Sequence, residues 1–185
     1  EIMVVTGVQT CALPIYEMQV GVKVIREGAV LPQYGTERSA CADIRANIYS
    51  TMIQRAPPVS SGSGKRVHHP VSTVLVYPGE RVLIPTGLIF DIPTGYSLRV
   101  HPRSGLSFKL GMTVVCGEGV IDEDYQHELF VPIINLSDTP VAINNGDRIA
   151  QIELVKDERC SFGFVESLSE KDSSRDGGFG HTGTS

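Results

Sequence analysis

The chain has no tryptophan, only 6% aromatic residues and no excess of basic charge. Its 16 lysines and arginines stand against 21 acidic residues, for a formal net charge of -5. A dedicated nucleic-acid binder would usually show a basic face, so any phosphate recognition here has to be local. No apolar run approaches the roughly 20 residues that a helix needs to cross a bilayer, which excludes a helical membrane span. The four cysteines, Cys11, Cys41, Cys116 and Cys160, form no CxxC pair and no metal-ligand spacing. They read as reduced thiols of a cytoplasmic protein that fill space. Helical periodicity is scarce as well. What is present is 185 residues, 41% of them hydrophobic, which suits one domain with a sizeable core.

The first residues stand apart. Val5-Thr6-Gly7-Val8-Gln9-Thr10-Cys11-Ala12-Leu13-Pro14-Ile15 resembles a translated sequencing adapter, and it lacks the basic start and apolar core of a signal peptide. Residues 1–17 are therefore set aside, with Met18 as the expected natural start. From Gln19 to Ile25 alternating valines predict a first strand. Asp43 lies among small residues in 39–46, where close packing is possible. Residues 47–72 change character: Pro57-Pro58-Val59-Ser60-Ser61-Gly62-Ser63-Gly64 reads as a linker-like surface excursion. His68 and His69 point in divergent directions with no acidic or cysteine partner nearby, and read as plain loop residues.

Short strands then follow one another, broken by turns at Pro78-Gly79, Pro93-Thr94-Gly95, Ser137-Asp138-Thr139-Pro140 and Asn144-Asn145-Gly146-Asp147. One helical turn is expected over 104–110. This spacing predicts an all-β barrel or jelly roll. In 117–128, two glycines, a Val-Ile pair and acidic residues around Tyr125 could form a turn that offers its own amides to a ligand beside a rigid carboxylate. The plainer reading of that stretch is a solvated acidic turn. After Ser167 the chain is polar and glycine-rich, and cannot build a core. Phe179 among glycines suits a lid that stacks on a base; a disordered terminus is the plainer reading.

Five separated segments resemble, in order, the five motifs of the trimeric dUTP diphosphatases (dUTPases): 39–46, Pro102-Arg103-Ser104-Gly105, 119–128, Arg148-Ile149-Ala150-Gln151 and 177–183. The resemblance runs from about residue 19 to 184. It implies a β jelly-roll homotrimer with a domain over 18–168 and a C-terminal lid over 169–185. The implied activity is Mg²⁺-dependent hydrolysis of dUTP to dUMP and diphosphate, which keeps uracil out of DNA and supplies dUMP. Each active site would gather residues from three subunits. Asp122 would be the general base that activates water, and Tyr125 would pack under the deoxyribose and reject a 2′-hydroxyl. Backbone groups from Cys116 to Gly119 would meet the uracil edge. Arg103, Ser104 and Gly105 would cradle the phosphates, and Gln151 would contact the α-phosphate. Asp43 would act indirectly, through metal-bound water or neighbouring side chains, and Mg²⁺ would be held chiefly by the phosphates and not by a protein cage. Arg148 would be structural. Arg175, Phe179, Gly180, His181 and Thr182 would close over base and terminal phosphates.

Four positions depart from the pattern. Cys41 and His127 stand where the family usually has glycine, the 47–72 excursion is long, and Arg175 lies one residue closer to Phe179 than usual. Two other functions share such features: a dCTP deaminase relative, for which no matching glutamate segment is visible, and a regulatory protein of phage or viral origin that kept the fold.

Overall fold

Alternation of apolar and polar side chains turns one face of each strand inward, and this period of two builds the whole molecule. The computed structural model describes residues 18–49, 52–56, 65–68 and 72–171. One sheet runs, edge to edge, as β11 (Gly119–Ile121), β9 (Tyr96–His101), β14 (Arg148–Lys156), β3 (Ala42–Arg45) and β2 (Gln33–Tyr34). The other runs as β10 (Met112–Val114), β12 (Phe130–Asn135), β7 (Arg81–Pro85), β4 (Met52–Ala56) and β5 (Lys65–His68). Two ribbons complete the fold: β1 (Gly21–Val24) with β8 (Leu88–Asp91), and β6 (Thr73–Val76) with β13 (Val141–Asn144). All pairings are antiparallel. The first strand falls within its expected span, and the architecture is the expected all-β jelly roll.

Ile44, Val100 and Ile152 from the first sheet meet Ile53, Val82, Ile84, Val131 and Ile133 from the second in one buried cluster. The side chains between them in sequence face outward, which places Asp43, His101 and Gln151 on the open face of the first sheet. In register, Gln151 of β14 lies opposite Asp43 of β3 on one side and His101 of β9 on the other. Three distant parts of the chain are thus lined up in one row.

The expected helical turn is α1 (Ser104–Leu110), which follows β9 directly. Gly111 ends it in the left-handed region at φ 66°, and its N–H donates to the carbonyls of Leu106 and Ser107. A Cβ there would lie 2.9 Å from the Ser137 amide nitrogen, so only glycine fits both the backbone and the space.

The 47–72 excursion is more ordered at its ends than its composition suggested. Asn47 and Ile48 are buried, and β4 and β5 form a hairpin that adds to the edge of β7 with Ile53 fully buried. Arg55 ties the hairpin down, donating to both carboxylate oxygens of Glu80 at 2.9 and 3.0 Å and to the Leu75 carbonyl at 2.9 Å. His68 therefore ends a strand and is not a loop residue. The Ser/Gly-rich stretch, His69, the adapter-like leader and most of the lid lie outside the described residues. No helix among the described residues is long and apolar enough to cross a membrane.

Candidate active site

The row across β3, β14 and β9 opens onto a polar pocket lined by Gly35, Ser39, Ala40, Cys41, Asp43, Arg103, Arg148 and Gln151. Among the described residues Asp43 is its only carboxylate, and it is held from two sides. Arg103 Nε donates to one oxygen at 2.8 Å and Arg148 donates to the other at 3.1 Å. Two guanidiniums around one carboxylate leave a net positive lining, which suits phosphate in an otherwise acidic chain. Gln151 Nε2 donates to the Pro102 carbonyl at 3.2 Å, which fastens the segment carrying Arg103 to β14. Arg148 thus holds Asp43 and also lines the pocket. Ser104 and Gly105 are exposed in the first turn of α1, immediately after Arg103. The first-turn amides of a helix lack partners within the helix.

The second group of expected residues sits on and after β11. Gly117 adopts φ 72° in the turn that precedes it. The turn is closed by the Gly117 N–H donating to Val114 O at 3.0 Å and the Glu118 N–H donating to Cys116 O at 2.8 Å. Gly119 pairs with Val100, and a Cβ on it would press to 3.2 Å against the Val100 Cβ. Asp122 is exposed, and its carbonyl accepts the Tyr125 N–H at 3.1 Å. The Tyr125 hydroxyl donates to Glu128 O at 3.0 Å, and its ring meets His127 edge-on at 5.6 Å. His127, the unexpected residue of this stretch, therefore props the tyrosine ring.

Sequence reasoning missed the anchor of this loop. Glu128 is nearly buried, pairs with Arg26 through both carboxylate oxygens, and accepts the Gly87 N–H at 2.8 Å. Arg26 also donates to Asn47 at 3.1 Å. The partners come from sequence positions far away, so no local pattern could reveal them.

Among the described residues, Cys116, Gly119, Asp122 and Tyr125 are absent from the lining of the pocket around Asp43. Arg175, Phe179, Gly180, His181 and Thr182 lie outside the described residues. The donor set around Asp43 does not make a metal cage, since its one carboxylate is already engaged by Arg103 and Arg148.

The dUTPase family model matches residues 67–183. A deoxyuridine 5'-triphosphate nucleotidohydrolase of Finegoldia magna is 40% identical over 153 residues, covering 83% of this chain and 91% of that protein. One of Fusobacterium nucleatum is 40% identical over 166 residues, covering 89% of this chain and 98% of that protein. Among solved structures, a mutant dUTPase of Staphylococcus bacteriophage 80alpha with dUpNHpp has a TM-score of 0.68 at 24% identity, covering 89% of this chain and 98% of that one. A phage phi11 dUTPase, described as coordinating a structural Mg(II) ion, has a TM-score of 0.64 at 22% identity, covering 83% of this chain and 100% of that one.

Proposed function

The chain belongs to the dUTPase family, and we propose accordingly that it hydrolyses dUTP to dUMP and diphosphate. The observation that carries this reading is the convergence of Asp43, Arg103 and Gln151 on one pocket with a cationic lining. Arg103, Ser104 and Gly105 receive the phosphate chain, where a fixed guanidinium meets charge that grows as diphosphate leaves. Gln151 turns its amide to the α-phosphate from β14. Asp122 takes the proton from the attacking water, and Tyr125, steadied by His127 and the Glu128 carbonyl, packs under the sugar and leaves no room for a 2′-hydroxyl. Groups of the turn from Cys116 to Gly119 that do not close the turn itself read the uracil edge.

The engaged state of Asp43 fits a Mg²⁺ that would arrive on the substrate phosphates and that Asp43 would meet only through water. When bound, the ion neutralises phosphate charge. That Asp122 does not line the pocket around Asp43 supports a site completed between subunits of a homotrimer, as the family resemblance implies. The tail carrying Arg175, Phe179, Gly180, His181 and Thr182 closes over it from a third subunit.

One assay tests the reading. The protein is given dUTP, dCTP, dTTP and UTP in turn with Mg²⁺. Diphosphate from dUTP alone is the expected result. Ammonia from dCTP would assign it to the deaminases, and no product from any of the four would leave a binding protein.

A further inference from the structure

A second group of side chains lies on the outer face of the same sheet, beside the pocket. Ile152 of β14 pairs with Ala42 and Val100, and all three are buried. By the two-residue period, Cys41 just before β3 and Glu153 of β14 project to the opposite side, the side of Asp43 and Gln151. His101 joins them from the end of β9. Its Nε2 lies 3.0 Å from Glu153 Oε1, and the donor atoms of Cys41, His101 and Glu153 all lie within 4.8 Å of one another. All three residues are half-buried. Behind the ring, the Glu118 carboxylate lies 3.6 Å from His101 Nδ1.

We propose that Cys41, His101 and Glu153 form a binding site for a thiophilic divalent cation of the Zn²⁺ class, with Glu118 orienting His101 from behind. One sulfur, one imidazole nitrogen and one carboxylate oxygen, with a fourth position left to solvent, is a donor set that such ions accept. Tetrahedral bonds of about 2.0–2.3 Å put ligand atoms roughly 3.3–3.8 Å apart, so the side chains need close by only about 1 Å. In the metal-free chain the 3.0 Å contact with the Glu153 carboxylate puts the ring hydrogen on Nε2, whereas a ligating ring would carry it on Nδ1, on the side of the Glu118 carboxylate 3.6 Å away; a carboxylate behind a ligating histidine is the usual support of such sites. On binding, the Cys41 S–H bond breaks and its proton goes to solvent, the His101 ring hydrogen passes through solvent from Nε2 to Nδ1, and the sulfur and Nε2 bond the cation; Glu153 exchanges its contact with His101 for one with the ion. Mg²⁺ is hard and favours oxygen donors, so it does not compete here. Cys41 also lines the pocket around Asp43, so the cation would sit in the wall of that pocket, apart from any ion carried by substrate. The proposal concerns binding and stands whether or not the catalytic reading holds.

The test uses the full chain, reduced and stripped of metal, titrated with Zn²⁺ against a chromophoric chelator and separately with Co²⁺. The expected result is one tight Zn²⁺ per chain, retained in a large excess of Mg²⁺, and a thiolate-to-cobalt charge-transfer band. Cys41→Ser, nearly isosteric, and His101→Gln each weaken binding by ~10-fold or more, and Glu118→Gln weakens it by ~10-fold. Cys116→Ser and Cys160→Ser bind as the parent does. Parent-like affinity in Cys41→Ser, or a Co²⁺ spectrum without the thiolate band, overturns the proposal and leaves an ordinary His101–Glu153 ion pair.

Discussion

Asp122 directly follows β11 with its carboxylate exposed, and the main chain of its own turn holds it through the Tyr125 N–H. A base placed this way has no side-chain partner among the described residues whose loss would complicate its removal. Asp122→Asn should lower kcat for dUTP by about 10²–10⁴-fold while a non-hydrolysable dUTP analogue still binds. Near-normal turnover in that variant, measured by diphosphate release, would remove the proposed base. Cys41 makes a different prediction. Burial, and next the Glu153 carboxylate, both disfavour its thiolate and push its pKa up. It therefore stays protonated to higher pH than an ordinary thiol, and its alkylation rate should rise only above the usual thiol range. Mass spectrometry after timed iodoacetamide exposure should show the exposed Cys116 and Cys160 modified first at neutral pH. Asp43, Arg103 and Gln151 were legible at this scale because each lies in a short motif. The meeting of Cys41 with His101 and Glu153 was not, because it depends on strand register and on which side of the sheet each residue faces.

Among elements, the β4–β5 hairpin was the hardest to read. Its two short strands flank a run of proline, serine and glycine whose composition dominates the segment and reads as linker. The Arg55–Glu80 pair that fastens it joins residues with side chains only 12% and 11% exposed. Arg55→Ala leaves Glu80 with no guanidinium in a nearly water-free position and should cost about 3 kcal/mol. The check is a denaturant midpoint at fixed protein concentration; an unchanged midpoint would mean that the Arg55–Glu80 pair does not fasten the hairpin. The other strands were legible because their alternation is regular and their turns carry glycine and proline. The lid makes its own prediction. Deleting residues from Ser173 onward should lower turnover by on the order of 10²-fold and leave the oligomer intact by light scattering. Full activity of the shortened chain would refute closure by the tail.

At the scale of the whole molecule, several large apolar side chains have no cover from the described residues of their own chain. Phe108 is 92% exposed, and Phe162 and Phe164 on the segment after β14 are almost wholly so. Apolar surface of this kind marks association, in keeping with the proposed trimer. The separation of Asp122 from the pocket around Asp43 then has a consequence in heredity. Two defective alleles, one encoding Asp122→Asn and the other Gln151→Ala, would each yield a silent enzyme when expressed alone. Expressed together they would assemble at random, and about a quarter of the sites would draw both intact halves from different parents. Activity recovered from such a mixture, measured against each pure variant, is the expected outcome, and a mixture as silent as its components would place each site within a single chain. A protein whose sites are shared as proposed would be rescued by a second broken copy of itself.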